Sequence, residues 1–380
     1  MSESPSRKRY AVPGGLLGMI GLVLVIELTL TRHELDFTNF VTWSWKHAGR
    51  AVSQRATKTE IFLFGDSLVK FGVAPRVMEP ILKKPTYNFA VFAGRLPVDY
   101  FLLKRALDAG ARPSAVVFEC EQYYLTQPPM LKEGSIWPDL LTQRECLELA
   151  RSMGNLDFFT QTTIARILFS YKAHGAIRGG ILAALRGEKA STRDRMDLNN
   201  RNWDWNLGAQ IMPKGPLLDP AAIDNIYPEF FPKSWAIDPV NASYLRKFLR
   251  LVEGRGIPVF WLVPPISPPA QARRQQIGMD ALYTELIRSM QERSPSLIVI
   301  DGRRSNYSAD AFLDPFHLNG PAAAVFSQDV ATLIAASLKA GDRDSRWFDL
   351  PAYHDRPADD RVEDIVRSQL VLDKQKLIRR

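Results

Sequence analysis

A serine hydroxyl becomes a useful nucleophile at neutral pH only when a base stands within hydrogen-bond reach and an acid orients that base. In this chain of 380 residues two short stretches offer the three groups, Gly65-Asp66-Ser67 and Asp314-Pro315-Phe316-His317. The spacing between Asp314 and His317 lets the carboxylate hold one ring nitrogen within a single turn while the other nitrogen points away, toward Ser67. Of the five histidines, His33, His47 and His174 lie outside the regular pattern described next and His354 lies in the tail, which leaves His317 as the well-placed base. The plainer alternative for Asp66 and Ser67 is a turn and helix cap after a strand, since both residue types favour such positions.

The elements around these stretches bring them to one edge. Ile61-Phe62-Leu63-Phe64 is a short, wholly apolar run that suits a parallel strand buried on both faces, and it ends in Gly65-Asp66-Ser67. Further strands are predicted over Thr86 to Val91, Ala115 to Phe118, Val259 to Val263 and Leu297 to Ile300. Helices are predicted over Val98 to Ala109, Tyr244 to Val252, Ala281 to Gln291 and Ala322 to Leu338. This alternation predicts a three-layer α/β domain over 59–340 with a mainly parallel sheet, whose ligands bind at the carboxyl ends of the strands. Ser67 then follows the first strand, and the Asp314/His317 block follows the last strand and precedes the last helix.

Between Glu121 and about Pro239 the alternation stops. A structureless loop of that length is improbable inside a compact domain, so 122–239 is expected to be an inserted cap with helical segments such as Phe158 to Leu185. Its aromatics, including Trp203, Trp205, Tyr227, Phe230, Phe231 and Trp235, either pack the insertion or stack on sugar rings. The extension 341–380 is charged and expected to be peripheral, with a helix near Glu363 to Leu377.

Phe64-Gly65-Asp66-Ser67-Leu68 resembles the first block of the SGNH/GDSL hydrolases, and Asp314-Pro315-Phe316-His317-Leu318-Asn319 resembles their last. The resemblance covers residues 60 to 120 and 240 to 340, and implies a flavodoxin-like sheet of the SGNH type. It implies Ser67 as nucleophile, His317 as general base and Asp314 as its orienter. Asn88 to Gly94 resembles the second block, which implies the Gly94 N–H as an oxyanion donor beside the Ser67 N–H. The third block departs from the pattern: Phe118-Glu119-Cys120-Glu121-Gln122 stands where an asparagine is expected, with Gln122 as the candidate substitute. That departure, with Phe71 to Pro75 and Asn88 to Leu107, resembles membrane-anchored members that O-acetylate or D-alanylate polymers beside a membrane-bound O-acyltransferase. The implied substrate is an acylated glycan, with no metal and no organic cofactor. Arg95 is a candidate for an anionic substrate group, or else a surface ion pair.

Compartment is read from the first segment. After Arg7, Lys8 and Arg9, residues 12–31 form an apolar run broken by Glu27 and Thr29, long enough to span a bilayer and without a small-x-small cleavage site. The expectation is a single-pass anchor with 1–11 inside, a membrane-proximal stalk or short helix over 32–58, and the remainder outside the cytoplasmic membrane, with no later span. Glu27 lies close enough to the outer end to reach the interface, and Trp43 and Trp45 either sit at headgroup level or pack on the domain. The charge of +8 is spread along the chain and forms no dense basic block, so no nucleic-acid partner is expected. Cys120 and Cys146 form neither a disulfide framework nor a metal site, and are read as buried thiols, with a single bridge as the alternative.

Overall fold

The computed structural model describes residues 14–129, 136–188, 191–215, 223, 227–294, 296–341, 346–357 and 359–378. Arg7, Lys8, Arg9 and the first two residues of the expected span lie outside the described residues.

Six strands form one sheet: β1 (Ile61–Phe64), β2 (Thr86–Asn88), β3 (Ala115–Phe118), β4 (Val259–Val263), β5 (Leu297–Asp301) and β6 (Trp347–Asp349). Their order is β2-β1-β3-β4-β5-β6, and every pairing is parallel. The apolar runs are explained by burial on both faces: Phe62, Phe64, Val116 and Phe118 point into one core, and Ile61, Leu63, Ala115 and Val117 into the other. Helices Leu96–Asp108, Pro239–Glu253 and Met279–Arg293 cover the first face, while Pro75–Leu82 and Gly320–Ala340 cover the second. From β1 the chain crosses to β2 on one side and returns to β3 on the other, so a crevice opens at the carboxyl end of β1.

Several expectations change. The second strand stops at Asn88, because the Asn88 side chain turns back to bond the Val69 and Val73 carbonyls, each at 2.9 Å, and the Ala90 N–H. The segment expected as a membrane-proximal stalk or short helix does carry a helix, Phe40–Arg55, but it packs into the main core with Trp43 and Trp45 each 2% exposed. The Trp45 indole N–H donates to the Phe92 carbonyl at 2.9 Å, so these tryptophans belong to the domain and do not reach headgroups. The extension contributes β6 to the sheet edge, and its helix Ile365–Ile378 follows Glu363, whose carboxylate pairs with Arg201 of the insertion. The insertion's expected helical stretch is three helices, Leu156–Ile167, Phe169–Lys172 and His174–Leu185.

Near the N-terminus the helix Gly14–Arg32 is long and apolar enough to be a membrane span or signal anchor, and none of its apolar side chains is buried. Gly320–Ala340 passes the same test of length and composition, contrary to the expectation of no later candidate. Its window is 61% buried, because it forms a layer against the sheet. Cys120 and Cys146 are buried free thiols.

Candidate active site

Ser67 is the first residue of the helix Ser67–Gly72, directly after β1, with Asp66 as its cap accepting the Leu68 N–H at 2.8 Å. The cap and the nucleophile position are therefore compatible roles of the same turn. The turn is tight at Gly65, where φ is +144° and a Cβ would come within 2.7 Å of Glu119 Oε2 and 2.9 Å of Val69. The Asp66 N–H donates to Glu119 at 3.2 Å. The Ser67 N–H sits at the first helical position, where the helix itself supplies no acceptor.

The second stretch is a loop closed on itself. Asp314 Oδ1 accepts the backbone N–H groups of Phe316 and His317, each at 2.9 Å, and the Leu313 N–H donates to the His317 carbonyl at 2.9 Å. Asn319 then caps Gly320–Ala340 by accepting the Ala322 N–H. Asp314 Oδ2 is thereby held 2.7 Å from His317 Nδ1, and His317 Nε2 lies 2.8 Å from Ser67 Oγ across 250 residues of sequence. Nδ1 must carry the proton it donates to the carboxylate, so Nε2 is the acceptor for the Ser67 hydroxyl. Burial pulls the Asp314 pKa upward, but the hydrogen bond and charge of His317 and the two backbone donors outweigh it, leaving the group below its ordinary value. Asp314 is thus ionised at neutral pH, and Phe71 meets the imidazole edge-on at 5.1 Å.

Beneath Ser67 lies a set of buried carboxyls that composition did not reveal. Burial, followed by the charge of Glu121, pushes Asp66 up to about 6. Burial and the nearby Asp66 push the Asp99 and Glu119 carboxyls well above their ordinary values. Glu121 forms an ion pair with Arg274 in which each side chain is 4% exposed. The only sequence signal for this layer was the alternation Glu119-x-Glu121 at the carboxyl end of β3.

Ser67 and His317 open into a cavity of about 300 Å³ walled by Phe71, Phe92, Tyr124, Tyr227, Phe230 and Phe316. Tyr227 and Phe230 come from the insertion, which therefore roofs the site. The other candidates are not brought there. The Gly94 N–H is committed to the Val91 carbonyl at 2.7 Å, and a Cβ at Gly94 would meet that same oxygen at 2.8 Å, so this glycine serves a tight turn and not an oxyanion. Gln122 Nε2 donates to Asp280 Oδ1 at 3.0 Å, because Gln122 opens the helix Gln122–Thr126 on the side facing Met279–Arg293. Arg95 stacks 3.8 Å above the Tyr124 ring and lines a separate cavity of about 540 Å³ behind Tyr124 and Phe230.

A hydroxyl, an imidazole and an ionised carboxylate in a continuous hydrogen-bond chain, opening into an apolar pocket, can deprotonate the hydroxyl as it attacks a carbonyl. In comparisons with known proteins the chain matches no family model and no curated protein.

Proposed function

We propose that the chain is a membrane-anchored serine acyl-esterase or O-acyltransferase of the SGNH/GDSL type, acting outside the cytoplasmic membrane on acyl esters, acetyl foremost, of a glycan. The observation that carries the reading is the unbroken chain Ser67 Oγ to His317 Nε2 and His317 Nδ1 to Asp314 Oδ2, at 2.8 and 2.7 Å. The strand order β2-β1-β3-β4-β5 supports a flavodoxin-like sheet with its functional crevice at the carboxyl end of β1.

The reaction runs in two halves. Ser67 Oγ attacks the ester carbonyl while His317 Nε2 takes the hydroxyl proton, and the Ser67 N–H donates to the developing oxyanion. Collapse breaks the ester C–O bond, the departing alcohol takes the proton from His317, and an acyl-Ser67 remains. A water or a sugar hydroxyl, deprotonated by His317, then attacks the acyl-enzyme and restores Ser67. Asp314 holds the imidazole in the required tautomer throughout and stays ionised.

The aromatic walls and the volume of about 300 Å³ suit a short acyl group. The glycan and the membrane-bound O-acyltransferase partner rest on the sequence resemblance, and the outward orientation on Arg7, Lys8 and Arg9 before the apolar helix. A catalytically silent scaffold is the competing reading, favoured by the commitment of the Gly94 N–H and the Gln122 amide to other partners. A fluorophosphonate ester probe separates the two: wild-type protein is labelled and Ser67→Ala is not. Absence of labelling in the wild type, or equal labelling of Ser67→Ala, removes the catalytic reading.

A further inference from the structure

The insertion touches the anchor helix at a depth that a purely aqueous cap would not reach. Glu27 is buried on the helix Gly14–Arg32, and its carboxylate accepts the Ser170 N–H at 3.1 Å and the Ser170 hydroxyl. At 1.5 Å per residue, 19 residues run about 28 Å, close to the ~30 Å hydrocarbon core of a bilayer. Glu27 precedes Arg32 by five positions and so lies about 7 Å inside the outer end of the helix. Ser170, in the helix Phe169–Lys172, stands at that same level.

A second clamp lies further along the insertion. The Ser191 hydroxyl donates to Asp36, and the Thr192 hydroxyl donates to the Leu35 and Thr38 carbonyls at 2.8 and 3.0 Å, just beyond the anchor's outer end. Between the two clamps runs the helix His174–Leu185, with Gly180 against Phe37. It buries no residue at all, although its sequence is mostly apolar: Ile181, Leu182 and Leu185 are 57%, 43% and 79% exposed. Leu156 and Ile167 of the neighbouring helix Leu156–Ile167 are 66% and 71% exposed. Scattered exposed apolar side chains are ordinary, but three on one short helix joined through Phe169–Lys172 to an apolar anchor are not. Arg178 and Arg186 flank these apolar side chains and are both exposed, which is the arrangement that lipid phosphates beside an acyl layer would use.

We infer that the helices Leu156–Ile167 and His174–Leu185 form a second membrane contact, lying in the outer leaflet beside the anchor with acyl chains against Ile167, Ile181 and Leu185. The occupant is lipid because the helix His174–Leu185 is held beside the anchor, through Ser170 to Glu27 and through Gly180 to Phe37, so its exposed apolar side chains extend the surface that the anchor presents to acyl chains. The inference rests on the reading of Gly14–Arg32 as a bilayer span. Its consequence is a catalytic domain fixed in tilt and height over the bilayer, since the same insertion supplies Tyr227 and Phe230 to the roof of the serine cavity.

The test uses the full chain in vesicles of phosphatidylcholine and phosphatidylglycerol, with a nitroxide placed on a single new cysteine, Ile181→Cys, Leu185→Cys, Val23→Cys or Glu292→Cys. The native cysteines are buried, and unsubstituted protein gives the background labelling. Collision rates with oxygen, which concentrates in lipid, and with a water-soluble nickel chelate are compared. The expected result is an oxygen-dominated ratio at 181 and 185, as at 23, and a nickel-dominated ratio at 292. Nickel-dominated collisions at 181 and 185 with oxygen-dominated ones at 23 overturn the second contact and leave the anchor standing. Nickel-dominated collisions at 23 overturn the anchor itself. Protection from both reagents at 181 and 185 means that a second copy of the chain covers them, and also overturns the lipid assignment.

Discussion

Replacing Asp314 by asparagine changes one group while leaving its loop nearly intact. The asparagine carbonyl can keep the Oδ1 place, where the N–H groups of Phe316 and His317 donate at 2.9 Å, because those donors accept no alternative. The amide nitrogen then takes the Oδ2 place, 2.7 Å from His317 Nδ1, and can only donate. Nδ1 must become the acceptor, so the ring proton moves to Nε2, and the atom 2.8 Å from Ser67 Oγ can no longer receive the hydroxyl proton. A base of the right shape is thus left in the wrong tautomer. Loss of the equivalent carboxylate in a triad lowers turnover about 10⁴-fold, or about 5.5 kcal/mol of barrier at 1.36 kcal/mol per decade. The rate of fluorophosphonate labelling and of hydrolysis of a chromogenic acetate ester at pH 7.5 reads the effect, with thermal unfolding as the control for structure. Asp314→Asn that unfolds within a few degrees of the wild type and labels at an unchanged rate would refute the assignment of His317 as the base.

Gly65→Ala places a Cβ 2.7 Å from Glu119 Oε2 at a φ of +144°, and is expected to cost about 2–4 kcal/mol in chemical denaturation and to abolish labelling of Ser67. Asp66 has a folded-state pKa of about 6 against an ordinary 3.8, so the folded state holds its proton longer and stability falls as pH rises through that window. Asp66→Asn, which still caps the helix, should therefore gain on the wild type as pH rises from about 4 to 7, by on the order of 3 kcal/mol; a difference constant with pH would count against the buried-carboxylate account. Arg95→Ala should leave the labelling rate of Ser67 within a few-fold, because Arg95 lines the cavity behind Tyr124. Gln122→Leu should lower stability by about 1–3 kcal/mol through the loss of its bond to Asp280, with labelling again retained; a large rate loss at either position would restore it to the site.

The local half of the site was legible because its causes are local. An apolar run of four residues followed by Gly-Asp-Ser dictates a buried parallel strand and a capped turn, and Asp-x-x-His closes on its own backbone, whatever surrounds it. The apolar first helix is local in the same sense. Pairings between distant segments carry no such mark: nothing in the order of residues tells that Gln122 faces Asp280 or that Glu121 meets Arg274. The expected stalk illustrates the same limit, because Trp43 and Trp45 read equally well as headgroup or core residues until the facing helices and the Phe92 carbonyl are in place.

Periodicity and turn chemistry, set by contacts a few residues apart, thus determined five of the six parallel strands, the Ser67 turn, the Asp314/His317 turn and the apolar first helix. The tertiary structure alone decided that these two turns meet at 2.8 Å, which carboxyls lie buried beneath them, that the insertion roofs the cavity, and that Glu27 finds Ser170. Those are matters of relative orientation across up to 250 residues, and orientation follows from how whole faces pack.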